Sequence, residues 1–163
     1  MSLNKATKAN LLRKSDFIDD VQLIDGVPLF SWIDLNITEL CNRKCVFCPR
    51  IDEAIYPNQN LHMSKKLASK IASELKELDY RGAIVLSGFG ESLLHPEHLE
   101  IINSLRGAHR LEIVSSGDRL TVKSIQDLSA AGIDCFIVSM YDGPEQKEKF
   151  MTLFEQSGLN SDA

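Results

Sequence analysis

The chain has 163 residues, 44% hydrophobic and 25% charged, which is enough to bury one core without a disulfide framework. Its net charge of −5 argues against a broad nucleic-acid footprint. No stretch reaches the ~18 apolar residues of a membrane span, and the first residues hold no apolar run of the secretory kind. We therefore expect a cytoplasmic protein with no membrane partner, whose four cysteines serve as metal ligands or free thiols.

Residues 1–28 are polar and irregular, with a short helix expected around Leu11–Asp20. Leu29–Ile37 reads as a strand that leads directly into Cys41-Asn-Arg-Lys-Cys45-Val-Phe-Cys48. Residues 49–62 are rich in turn formers, including Pro49, Pro57, Asn58 and Asn60. A repeating rhythm follows. Ser64 is an N-cap candidate, and Leu67, Ile71, Leu75 and Leu78 share one helical face. Gly82 closes that unit, and Ala83–Leu86 is a short apolar strand. Pro96–Arg106 reads as a helix with Leu99, Ile102 and Leu105 as its buried stripe, and Leu111–Val114 as the next strand. Thr121 caps a helix that runs to about Ala131 and stops at Gly132. Ile133–Met140 is a fourth strand, and Pro144 opens a last helix that reaches about Gln156.

Strands alternating with helices imply parallel strands joined by right-handed crossovers. The fold class is α/β: a partial parallel (βα) barrel of about four βα units, set on residues 29–163 behind an N-terminal extension, residues 1–28. A full eight-unit barrel takes roughly 250 residues.

The cysteine triplet carries the chemistry. Four residues of chain span at most about 14 Å, so Cys41, Cys45 and Cys48 converge locally. Soft thiolates suit zinc or iron–sulfur, and a closed cluster takes four cysteines. Three close ligands leave a metal position open, where catalysis by metals occurs. Arg43 and Lys44 stand where they would lower the thiol pKa values. A structural zinc site completed by His62 is the alternative.

Gly88 and Gly90 allow close backbone approach to a ligand. Glu91 offers a carboxylate to an ammonium group, or alternatively favours a helix start. Ser115 and Ser116 suit ribose hydroxyls, or alternatively form a turn ahead of Thr121; Ser139 is equally open. All four segments end strands, on the face where parallel α/β proteins place their sites. Cys135, Trp32, His95, His98 and His109 read as packing residues, and Glu145–Lys149 as a solvated helix face. The pattern supplies no catalytic acid, base or nucleophile.

A CxxxCxxC motif after a first strand, with Phe47 before the last cysteine, resembles the radical S-adenosylmethionine (radical SAM) superfamily. Ser87-Gly88-Phe89-Gly90-Glu91-Ser92 is similar to that family's Gly-Gly-Glu-Pro motif, with Phe89 and Ser92 in place of the usual Gly and Pro. Val114-Ser115-Ser116-Gly117-Asp118 resembles its Thr-Asn-Gly turn, and Ser139-Met140-Tyr141-Asp142-Gly143 its serine-containing strand end. The resemblance implies a 4Fe–4S cluster on Cys41, Cys45 and Cys48, with S-adenosylmethionine at the fourth iron. It implies cofactor contacts at Phe47, Gly90, Glu91, Ser115, Ser116 and Ser139, with Glu91 meeting the cofactor's amino group. The implied activity is reductive cleavage of S-adenosylmethionine to a 5′-deoxyadenosyl radical that abstracts hydrogen from an unknown substrate, fed by an electron donor. The alternative is a truncated or non-catalytic iron–sulfur or zinc module. The resemblance covers roughly residues 30–150, so the family's last units are expected as a missing C-terminal segment, or their place on the fourth strand is taken by self-association or a partner.

Overall fold

The structure is a computed structural model in which residues 5–19, 21–107 and 109–159 are described. Helix α1 (Lys5–Ile18) precedes a two-stranded hairpin of β1 (Leu23–Ile24) and β2 (Val27–Pro28). The expected helix around Leu11–Asp20 thus starts earlier, and Asp20 lies outside the described residues. Four parallel strands follow in the order β3 (Trp32–Leu35), β4 (Ala83–Leu86), β5 (Arg110–Ser115) and β6 (Cys135–Val138). Helices α2 (Lys65–Glu77), α3 (His98–Leu105) and α4 (Val122–Ala131) connect β3 to β4, β4 to β5 and β5 to β6, and α5 (Glu145–Ser157) comes last. No described helix is long and apolar enough to cross a membrane.

Local chemistry sets the helix limits. The Ser64 side chain accepts from the Leu67 N–H, and Thr121 forms a capping box with Ser124. Gly132, at φ +123°, ends α4 as expected. The α2 unit ends before Gly82: its last turn closes at Leu78, with Asp79 at φ +48°.

Strand register sorts the side chains by face. Ile33, Ile84 and Leu111 are register partners, as are Leu35, Leu86, Ile113 and Phe136. These residues join the core beneath α2, α3 and α4, with Leu75, Ile101, Ile102, Leu105, Ile125 and Leu128 from the helices. Each such buried side chain contributes about 1.5–3 kcal/mol of hydrophobic stabilisation. The opposite face carries Asp34, Val85, Glu112 and Cys135 in register. Helix α1 covers part of this second face. Arg13 pairs with the fully buried Glu112 and lies 4.7 Å from the centre of the Trp32 ring, while Phe17 meets Trp32 edge-on at 6.2 Å.

The first strand is shorter than the expected Leu29–Ile37, because loop contacts take the backbone on either side of it. Leu29 N–H bonds Gln22 O, Glu39 N–H bonds Leu61 O, and Met63 N–H bonds Ile37 O. The fourth strand is shorter than Ile133–Met140, because Ile133 N–H turns back to Leu128 O.

Candidate functional site

The cysteine loop leaves β3 and is held in place by its own surroundings. Asn58 makes two bonds to Cys41: its Oδ1 accepts from the Cys41 N–H at 2.9 Å, and its Nδ2 donates to the Cys41 carbonyl at 3.1 Å. Cys48 N–H donates to Cys45 O at 2.9 Å, closing a turn between the last two thiols. Cys41, Cys45 and Cys48 are half-buried and free of disulfides. Among the described residues, no three His, Cys, Asp or Glu side chains gather around a single ion site. Three soft thiols on one short loop are the donor chemistry of an iron–sulfur cluster, and in that respect the donor set fits that group. His62 does not complete a zinc site, because Nδ1 lies 2.9 Å from Thr38 Oγ1 and Nε2 lies 2.8 Å from Asn60 Oδ1.

Burial pushes the Cys41 thiol pKa up, and the Glu91 charge adds to this. The Arg43 backbone N–H and the Arg50 charge act in the opposite direction. For Cys41 the expected lowering by Arg43 therefore comes from its backbone N–H, and the Arg43 and Lys44 side chains are engaged elsewhere. Lys44 pairs with Glu53 at 2.5 Å, and the Arg43 guanidinium is taken up by two aspartates.

The loop after β4 docks against the root of the cysteine loop. Glu91 N–H donates to Leu40 O at 2.7 Å, and Gly90 N–H donates to Asn36 Oδ1 at 3.3 Å. A Cβ on Gly90 would fall 1.8 Å from the Thr38 carbonyl oxygen, so only glycine permits this approach. Gly88 has φ +120° and would clash with Asn36.

The Glu91 carboxylate is 4% exposed and meets the turn after β5. Ser115 Oγ donates to Oε1 at 2.9 Å, while Ser116 N–H and Oγ donate to Oε2 at 2.9 and 2.8 Å. Glu91 also serves as N-cap of the short turn Ser92–Leu94, accepting from Leu93 N–H. Both readings of Glu91 therefore have a structural counterpart. Ser139 sits beside this group, its N–H donating to Ser115 O at 2.9 Å. The structure thus brings Gly90, Glu91, Ser115, Ser116 and Ser139 together. Phe47 lies apart from them, 71% exposed at the loop tip, with its ring centre 5.6 Å from that of Tyr141.

Sequence reasoning missed Arg50 and its carboxylate partner. Arg50 is 3% exposed and bonds Phe89 O through Nε at 2.5 Å and Glu39 Oε2 through Nη2 at 2.8 Å. Tyr56 OH and Asn36 Nδ2 also donate to Glu39, each at 2.8 Å. No motif marks these residues; the only signal is that Arg50 adjoins the last cysteine.

Three more residues, Arg43, Asp118 and Asp142, link the cysteine loop to the ends of β5 and β6. Arg43 donates to Asp118 from Nε at 2.7 Å and Nη2 at 2.5 Å, and to Asp142 from Nη1 at 2.7 Å and Nη2 at 2.5 Å. Those hydrogen bonds hold both aspartates below the usual carboxylate range. The histidines keep packing roles: His95 Nδ1 accepts from Glu97 N–H at 3.0 Å, and its Nε2 meets Met63 O at 2.8 Å.

Known proteins resemble this chain in sequence and in fold. The model of the Radical SAM superfamily matches residues 35–155. A protein of Niallia circulans, described as S-adenosyl-L-methionine-dependent 2-deoxy-scyllo-inosamine dehydrogenase, is 31% identical over 132 residues. That match covers 78% of this chain and 51% of the relative. The crystal structure of BtrN in complex with AdoMet and 2-DOIA superimposes with TM-score 0.67 at 30% identity, over 78% of this chain and 52% of that one. BtrN in an open conformation gives TM-score 0.61 at 30% identity, over 73% and 54%. The chain spans about half the length of the curated relative it matches.

Proposed function

The chain belongs to the radical SAM superfamily, whose cofactors are a 4Fe–4S cluster and S-adenosylmethionine, and from that premise we propose that it is the cofactor-cleaving part of a radical SAM enzyme. The observation that carries this reading is the meeting of three loops at the strand ends: the Cys41–Cys48 loop, the Gly88–Glu91 loop and the Ser115–Ser116 turn.

When bound, the cluster supplies the electron that cleaves S-adenosylmethionine to methionine and a 5′-deoxyadenosyl radical. The residues of the chain bind and orient. Cys41, Cys45 and Cys48 would hold the cluster, one iron each. Glu91 places a buried negative charge beside the cluster loop, which favours a cofactor carrying a sulfonium and an ammonium group. It also fixes the Ser115 and Ser116 hydroxyls, which would be available as acceptors for polar groups of the cofactor. Gly90 keeps the two loops close enough for one ligand to touch both. Ser139 extends the polar rim, and Phe47 with Tyr141 covers the outer side of the cluster loop.

The Niallia circulans relative makes dehydrogenation the first reaction to test after hydrogen abstraction. The substrate wall and the electron donor remain to be assigned by experiment. Along the outer side of β6, further chain or a second copy would add the next strand.

Anaerobic reconstitution tests this reading. We expect about four irons and four sulfides per chain, with methionine and 5′-deoxyadenosine released on reduction in the presence of S-adenosylmethionine. Changing Cys41, Cys45 or Cys48 to Ala removes the cluster, and Cys135→Ala leaves it. Stoichiometric zinc without iron would return the chain to a structural metal module. A cluster with no product would make it a non-catalytic one.

A further inference from the structure

Arg43 lies inside the cysteine loop, two residues from Cys41 and two from Cys45. Its guanidinium is only partly exposed and makes the four hydrogen bonds to Asp118 and Asp142 described above. Asp118 belongs to the turn after β5, two residues beyond Ser116; Asp142 belongs to the loop after β6, three beyond Ser139. Asn42 adds a bond to Asp118 Oδ2 at 2.6 Å. Asp142 is itself fixed at the start of α5: its N–H donates to Gln146 Oε1 and its Oδ2 accepts from Gln146 Nε2, both at 2.9 Å. The Arg43 guanidinium carbon also lies 5.4 Å from the centre of the Tyr141 ring, which in turn meets Phe47.

We propose that Arg43 is the positioning residue of the cluster loop, tying the segment between Cys41 and Cys45 to the ends of β5 and β6. Because it concerns the cysteines as cluster ligands, this rests on the radical SAM reading above. The chemistry selects arginine. One planar fork reaches two carboxylates from two different loops, whereas a lysine ammonium has no such fixed fork. An isolated surface ion pair contributes little, yet this guanidinium is shared by two carboxylates that are themselves held by Asn42 and Gln146. The ligand loop is therefore fixed from two sides. Arg50 holds it toward the loop after β4, Asn58 holds Cys41 to the segment that follows the cysteines, and Arg43 holds it toward β5 and β6.

Two measurements on the whole protein test the proposal. The first is amide hydrogen exchange in the cluster-free chain, which depends on no metal. In Arg43→Gln, exchange over residues 41–48 should speed up by at least about tenfold, while β4 and β5 keep their protection. Asp118→Asn should act in the same direction and more weakly. The second is the electron paramagnetic resonance spectrum of the reduced, reconstituted cluster with and without S-adenosylmethionine. The Arg43 variant should load iron but lose the single, sharp response to the cofactor, and its KM for S-adenosylmethionine should rise more than its kcat falls. Arg43→Lys should restore thermal stability without restoring the spectrum.

Unchanged exchange over residues 41–48 overturns the proposal. Faster exchange with a wild-type spectrum and KM makes Arg43 a stabilising residue only, and overturns the positioning role. A wild-type chain that takes up zinc and no iron defeats the radical SAM reading, and with it the positioning of cluster ligands, while the exchange measurement still decides whether Arg43 clamps the loop.

Discussion

One oxygen of Glu91 accepts two hydrogen bonds from Ser116, from its backbone N–H at 2.9 Å and its hydroxyl at 2.8 Å. The loop after β4 and the turn after β5 are therefore joined through a single buried carboxylate. Glu91→Gln puts an amide where both oxygens now accept. One oxygen remains for donors on two sides, and a buried N–H is left facing an NH2 group. We expect a loss of about 1–3 kcal/mol in stability, read by urea denaturation. Binding of S-adenosylmethionine should weaken by roughly tenfold or more, with the cluster still loaded. A variant with wild-type stability and affinity would remove Glu91 from the site.

Gly90 gives a second, steric test. The Cβ of Gly90→Ala would strike the Thr38 carbonyl, which is backbone and cannot rotate aside. The two loops must then separate. Overpacking of this kind costs about 1–3 kcal/mol, and the separation should also reduce the iron retained after desalting. Full iron retention in a folded Gly90→Ala protein would show that the loop approach is unimportant for the cluster.

Arg13 and Glu112 test the role of α1. Glu112 is fully buried on the second face of the sheet, and burial pushes its pKa up against the opposing charges of Arg13 and Arg110. Arg13→Ala removes one of two cations from a buried carboxylate, at a cost of about 1.5–3 kcal/mol for a charged hydrogen bond. Glu112→Gln in the same chain should return part of that loss. If Arg13→Ala leaves the thermal midpoint unchanged, the Arg13–Glu112 pair contributes nothing to holding α1 on the sheet.

Much of this arrangement was legible in the chain itself. Ser64, Thr121 and Gly132 announce their helix ends because capping is local chemistry. The cysteine spacing is equally local. The β1–β2 hairpin was also there to be read: Asp25-Gly26, both at positive φ, is a strong turn signal that the polar look of residues 1–28 obscured. What could not be read is long-range pairing. Arg43 finds Asp118 across 75 residues, and Arg13 finds Glu112 across 99; neither pair has a spacing that periodicity would reveal. Arg50 was hidden for the same reason, since its importance comes from burial beneath Phe89 and Glu39.

His109 makes stability depend on pH. It is 8% exposed, and its Nε2 meets the Leu105 carbonyl at 2.6 Å. Burial pushes its pKa below the ordinary value, against the hydrogen bond to Leu105 and the charge of Asp134. The unfolded chain therefore takes up the proton first, and stability falls as pH drops through about 6.5 toward the lowered folded value. The urea midpoint should decrease between about pH 7.5 and about pH 5.5, and by less in His109→Gln. Parallel decreases in both proteins would assign the effect to other groups.

The Arg43 clamp also orders events during synthesis. The cysteines emerge from the ribosome early, but the carboxylates that hold their loop are made 75 and 99 residues after Arg43. Adjacent units can pair as they appear, because each strand of the sheet lies beside its neighbour in sequence. Asp118 supplies the first carboxylate of the second anchor, and the anchor is complete only once residue 142 has been made and α5 has begun to fold. A nascent chain stalled before that point would present three free thiols on a more loosely held segment. Ribosome-arrested chains ending before and after Asp142 should therefore differ in how firmly they retain iron.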